Sequence, residues 1–147
     1  MAFRASNIVP QTAYQTVKSA AVQLKINLQG INSRLEAQSA TYDFLREVYR
    51  TLERANSQFT ALRGTPGLAD YAKAQENDAA YDVVAEFTAM QGSITAALAW
   101  LDSNVPTNVT AKAPASWGDG TLIATEFTPA QTSGLRGVLS AVIASIS

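Results

Sequence analysis

One spacing constrains this chain more than any other feature. Tyr14, Val17, Ala21, Leu24, Leu28, Ile31 and Leu35 follow alternating steps of three and four, and the same phase resumes at Tyr42, Leu45, Tyr49, Leu52 and Phe59. Of the fourteen positions on this seam only Gln38 and Asn56 are polar. Such a sustained heptad keeps one apolar stripe on one side of an α-helix. Gly30 is the sole Gly or Pro between residues 11 and 63. A single helix of that length would extend about 75 Å, further than a domain of this size can cover. The alternative is a hairpin bending near "EAQSAT", where Ser39 or Thr41 caps a second helix. The unbroken phase favours a continuous or merely bent helix. Phe44, Val48 and Leu62 widen the stripe beyond Tyr42, so the second half is expected to be the more deeply buried.

The remainder reads as further helix with one interruption. "RGTPG" at 63–67 is a stop and restart: Gly64 suits a C-cap and Pro66 the first turn of a following helix. A short helix through "GLADYAKAQ" leads to "END", where Asn77 or Asp78 is expected to cap a long helix reaching about Ser103. Asn104 and Pro106 end it. Thr128-Pro129-Ala130-Gln131 is a capping box with Pro at the first helical position. The last helix carries Leu135, Val138, Leu139, Val142, Ile143 and Ile146, an apolar end that has to dock.

Between these helices "KAPASWGDGTLIATEFTPAQ", residues 112–131, breaks the pattern. "TLIATEFT" alternates like a short strand, and a lone strand cannot satisfy its own backbone. Its partner is expected to be the arm "FRASNIV", another coil segment or a neighbouring subunit. The resulting expectation is a mainly α, single helical domain over 1–147. It is a bundle with long heptad-patterned helices, an N-terminal arm over 1–10, an extended β-hook over 105–128, and a C-terminal helix.

Composition removes most chemistry. The 147 residues include no Cys and no His, so thiolate sites, disulfides and the commonest general base are excluded. Charged residues make up 16%, below the usual quarter or so, which suggests that partners cover part of the surface. No apolar run approaches the length needed to span a bilayer, and "MAFRASNIVP" lacks a signal-peptide core. Net charge is −1 but bipolar. Residues 1–63 hold eight basic side chains against four acids, and residues 64–147 hold three against eight. The halves are expected to neutralise each other within the fold or across a head-to-tail contact.

Three constellations invite a chemical reading. Asp78, Asp82 and Glu86 recur every four residues, but like charges without a His fit a solvated face better than a metal or acid–base site. Arg46, Arg50 and Arg54 share that spacing and are expected to pair with acids within or between subunits. Contact with DNA, without sequence readout, is the lesser reading at a pI near 5.3. "SWGDG" has neither the ligand spacing of a calcium loop nor the Gly-Lys pattern of a phosphate cradle. It presents Trp117 on a glycine turn, which suits an interface anchor. The expected interface residues are therefore Trp117, Asp119, Leu122, Ile123 and Phe127, with Arg46, Arg50 and Arg54. No catalytic, cofactor or metal site is expected.

With "TPGLADYAKAQENDAAYDVVAEF", "LDSNVPT" and "SWGDGTLIATEFTPAQTSGLR" in view, the chain resembles small virion proteins of tailed bacteriophages, in particular helical head-to-tail adaptors. That resemblance implies a non-enzymatic neck subunit, assembled in the host cytoplasm. It would form a homo-oligomeric ring and meet portal or tail components through its extended arm. A capsid-decorating, tail or baseplate protein and a cytosolic assembly chaperone are the alternatives.

Overall fold

The computed structural model describes residues 5–37, 41–105 and 127–146, with only the backbone for 5–9 and 37. Five helices follow in order: α1 Ala5–Ala37, α2 Tyr42–Arg63, α3 Leu68–Glu76, α4 Val83–Asn104 and α5 Pro129–Ser145. Among the described residues there is no strand.

The heptad is folded as a hairpin and not as one helix, a correction with a local cause. Thr41 takes an extended conformation and its Oγ1 accepts the Phe44 amide at 3.0 Å, the N-cap that starts α2. Arg34 of α1 lies 3.7 Å from Glu47 of α2, and Thr16 and Asn27 share a cleft with Gln58 and Thr51, so the two helices run antiparallel. Leu35 and Tyr42 are seven residues apart across the turn, so the phase carries over without continuous helix.

The same logic of cross-helix pairs gives the rest. Asn32 bonds Ser140 and Glu36 meets Arg136, which sets α5 antiparallel to α1. Gln91 donates to Asn56 while Arg63, further along α2, reaches back to Thr88, which sets α4 antiparallel to α2, and Phe59 packs edge-on against Phe87 at 6.1 Å. Gln131 donates to the Asn104 carbonyl, closing α5 onto the end of α4. Four helices thus alternate in direction around a shared core, with α1 diagonal to α4 and α2 diagonal to α5. The short α3 packs on both α1 and α4.

The core follows from the stripes. Leu28, Leu45, Val48, Leu52, Phe59 and Phe87 are fully buried, as are Ile94, Leu101, Leu135, Leu139 and Val142 from the later helices. The described core holds no buried polar or charged residue. Its α2 positions beyond Tyr42 are sealed completely while most of α1's retain a few per cent exposure, in line with the widened stripe after Tyr42.

Several boundaries differ from the sequence expectation. Residues 5–10 are helical rather than an arm; Pro10 lies inside α1, close to Gly67, the left-handed residue before α3 (φ 78°). Pro66 lies before that cap and not in the first turn of α3. Asn77 ends α3 in the left-handed region (φ 52°) instead of starting α4. Asp82 starts α4, its Oδ1 accepting the amides of Val84 and Ala85. Asp78 closes a turn at the Ala80 amide, so the row Asp78, Asp82 and Glu86 is not one helix face. The expected hook lies outside the described residues except at its ends.

Candidate interaction surface

The hook's two ends are fixed to one place. Val105, the C-cap of α4, is buried, and so is Phe127, the residue that precedes the α5 cap. Phe127 stacks edge-on against Trp100 at 6.3 Å. Thr128 and Gln131 complete a reciprocal capping box, and the Gln131 amide also bonds the Asn104 carbonyl at 2.8 Å. Across the contact, Trp100 lies so close to α5 that a Cβ at Gly134 would stand 2.8 Å from its Cζ2. Indole, phenyl ring and capping box therefore bind the end of α4 to the start of α5, and residues 106–126 leave and return at this single clamped end.

Phe127 corrects the expected interface: its ring belongs to the chain's own core. Trp117, Asp119, Leu122 and Ile123 lie outside the described residues. Arg46 bonds Asp43 at 2.8 Å and its guanidinium sits 6.0 Å from the Tyr42 ring centroid. Arg50 and Arg54 are exposed on α2, and among the described residues neither forms an ion pair. Among the described residues this arginine row forms no ion pair with Asp78, Asp82 or Glu86. The antiparallel register of α2 and α4 brings Arg63, at the far end of α2, opposite the start of α4.

At the other end of the bundle, Tyr14, Lys18 and Glu76 tie α1 to α3. The Tyr14 hydroxyl donates to Glu76, Lys18 Nζ lies 3.0 Å from the same carboxylate, and the ammonium stands 4.7 Å over the Tyr14 ring. The Tyr14 hydroxyl and the Lys18 ammonium hold the Glu76 carboxyl below its ordinary range. Burial first, then the neighbouring carboxylate, push the Tyr14 phenol up. Contact with Tyr14 and Glu76 also raises Lys18. These groups edge a cleft of about 440 Å³ floored by Val17, Ala21, Phe87, Met90 and Ile146. Among the described residues no three carboxylates converge as a cation site. Every member of the cluster is satisfied by another, which is the chemistry of a latch.

One surface was missed from the sequence. On the side of α1 opposite its buried seam, Gln15, Ser19, Val22, Ile26, Gln29 and Ser33 are all exposed, and none is charged. Val22 and Ile26 are each 55% exposed, the most exposed large aliphatics described. Their signal was legible: the six recur at steps of four and three, a second seam in register with the first.

No protein-family model, no curated protein and no solved structure matches this chain. None of the described helices is long and apolar enough to cross a membrane.

Proposed function

We propose that this chain is a non-enzymatic structural subunit of a tailed-phage virion, of the head-to-tail connector type, built to join other subunits. The observation that carries the reading is the clamped base of residues 106–126. A helical bundle supplies a rigid platform, and a segment containing Trp117, Asp119, Leu122 and Ile123 is held by both ends at one point of it. In this reading the segment adds to a neighbouring chain by backbone pairing, where ladder hydrogen bonds supply affinity and alternate side chains specificity. Copies of one subunit related by a closing rotation make a ring. The low charge content and the bipolar charge suit repeated contacts between copies.

Phe127 restricts how the segment can be tested, because removing that ring would open the core. Replacing residues 110–124 by a short Gly-Ser linker spares the clamp. The expected outcome is unchanged helical circular dichroism with loss of assembly; a shortened chain that assembles like the parent refutes the role of the segment. Mass spectrometry of gradient-purified particles checks the wider reading. A neck ring is present in few copies relative to the shell protein, a decorating protein in many, and an assembly chaperone is absent.

A further inference from the structure

We propose that the open cleft at the α3 end of the bundle is the seat for Trp117 of a second copy of this chain. This seating rests on the assembly reading above and names a receiving site for it.

The cleft exists because α5 is short. Gln131 bonds the Asn104 carbonyl, and fourteen residues further along each of these antiparallel helices Ser145 comes level with Met90. Helix α4 runs on for seven more residues, to Val83, with no α5 beside it. Over that stretch Val17 and Ala21 of α1 and Phe87 and Met90 of α4 form an apolar floor between Ile146 and Glu76. Val22, 55% exposed, also lines the cleft and forms its outer lip.

Chemistry selects the occupant. Of the three charged residues that line the cleft, Lys18 and Glu76 satisfy each other. The third, Glu86, is half-buried, and among the described residues its carboxylate forms neither an ion pair nor a side-chain hydrogen bond. A carboxylate partly withdrawn from water beside an apolar floor calls for a donor carried on an apolar body. At about 440 Å³ the space falls within the range of sites that enclose a small molecule or a large side chain. Trp117 is the only aromatic residue of 106–126, and an indole combines a large apolar face with one N–H donor and no acceptor.

Chain length selects the copy. The clamp holds both ends of 106–126 at the opposite end of the bundle. At 1.5 Å per residue, Phe87 stands about 26 Å back along α4 from Asn104. Trp117 is ten residues from Phe127, a tether of about 33 Å when fully extended. Within one subunit the ring reaches the cleft only on a tether drawn out along most of its length, which conformational entropy opposes. A neighbour whose cleft lies beside the clamp needs no such stretch. One end of each molecule then meets the other end of the next, a heterologous contact that closes to a ring when the rotation closes.

Two variants separate the inserted ring from its seat. Trp117→Ala removes the ring; Glu86→Lys reverses the charge of the seat. Val22→Glu repeats the blockade from the exposed lip, away from the first turn of α4. Circular dichroism and melting temperature are expected to match the parent chain, since none of these positions is buried among the described residues. Sedimentation velocity over a concentration series reads the assembly. The full chain associates, and each variant alone associates at least tenfold more weakly. An equimolar mixture of Trp117→Ala with Glu86→Lys forms a one-to-one dimer and nothing larger, because one chain keeps the ring and the other keeps the cleft. If Glu86→Lys and Val22→Glu assemble like the parent, or the mixture stays monomeric, the seating is wrong. A lower melting temperature for Trp117→Ala with association unchanged places the ring in its own subunit and also overturns it. Assembly that is lost on replacing residues 110–124 but unaffected by any of the three variants overturns this seating and leaves the connector reading standing. A full chain that is monomeric at every concentration overturns both.

Discussion

Gly134→Ala should destabilise this protein although alanine is the better helix former. Within a helix interior the exchange is normally favourable by up to about 1 kcal/mol. Here the new methyl would stand 2.8 Å from Trp100 Cζ2 and 3.2 Å from both Cε2 and Nε1. Comfortable carbon contacts begin near 3.5 Å, so the overlap is about 0.7 Å at the nearest atom. The indole cannot swing clear freely, because Phe127 packs edge-on against it at the hook's base. Overpacking of this kind costs about 1–3 kcal/mol, which outweighs the propensity gain at all but the low end. The net expectation is a loss of about 1 kcal/mol, or a melting temperature lower by about 2–4 °C for a domain of this size. Gly137→Ala is the control on the same helix: it is exposed, with nothing within 4 Å of its added Cβ, and should gain about 0.5–1 kcal/mol. Thermal unfolding followed by circular dichroism reads both. The decisive comparison adds Trp100→Ala. In that background Gly134→Ala should turn neutral or stabilising, a coupling that only direct contact produces. Equal stabilisation by Gly134→Ala and Gly137→Ala would falsify the seating of the indole, and with it the clamp.

Removing the α4 cap by Asp82→Ala should cost about 1 kcal/mol in a urea titration, because two amide donors lose their acceptor; no loss would return the start of α4 to Asn77 or Asp78. Gly67→Ala should cost about 1 kcal/mol, since φ 78° is a left-handed conformation that a Cβ resists; a neutral result would mean that the α2–α3 turn is built differently. Glu76 supplies a pH test. Its folded pKa is depressed, so its contribution is present above the ordinary carboxylate range and is lost as pH falls through the depressed value. The melting-temperature gap between the parent and Glu76→Gln should therefore shrink on acidification from about pH 7 to about pH 3; a constant gap would mean that the latch does not act through the carboxylate charge.

Local signals survived folding where they were self-contained. The Thr128–Gln131 capping box starts α5 as the four residues dictate, and "RGTPG" separates α2 from α3 because Gly and Pro punctuate without tertiary help. The signals that misled were those satisfied by two structures at once. A heptad continues in phase across any turn that spans whole repeats, so the seam from Leu35 to Tyr42 concealed a hairpin marked only by the candidate caps Ser39 and Thr41, of which Thr41 starts α2. Asn77, Asp78 and Asp82 are all good caps, and which one starts α4 depends on where α3 ends. Phe127 read as an interface residue of a strand-like stretch because its partner Trp100 is distant in sequence. Gly134 carries no sequence mark of the indole that excludes a side chain there. The second, exposed seam of α1 is the opposite case. Its spacing was present in the sequence, and it gained meaning only once the first seam was known to be buried.

The account stands most directly on the native mass of the full chain in solution, measured over a range of concentrations. It predicts an integral multiple of the subunit mass, reached cooperatively as a closed species. A single subunit at every concentration contradicts it.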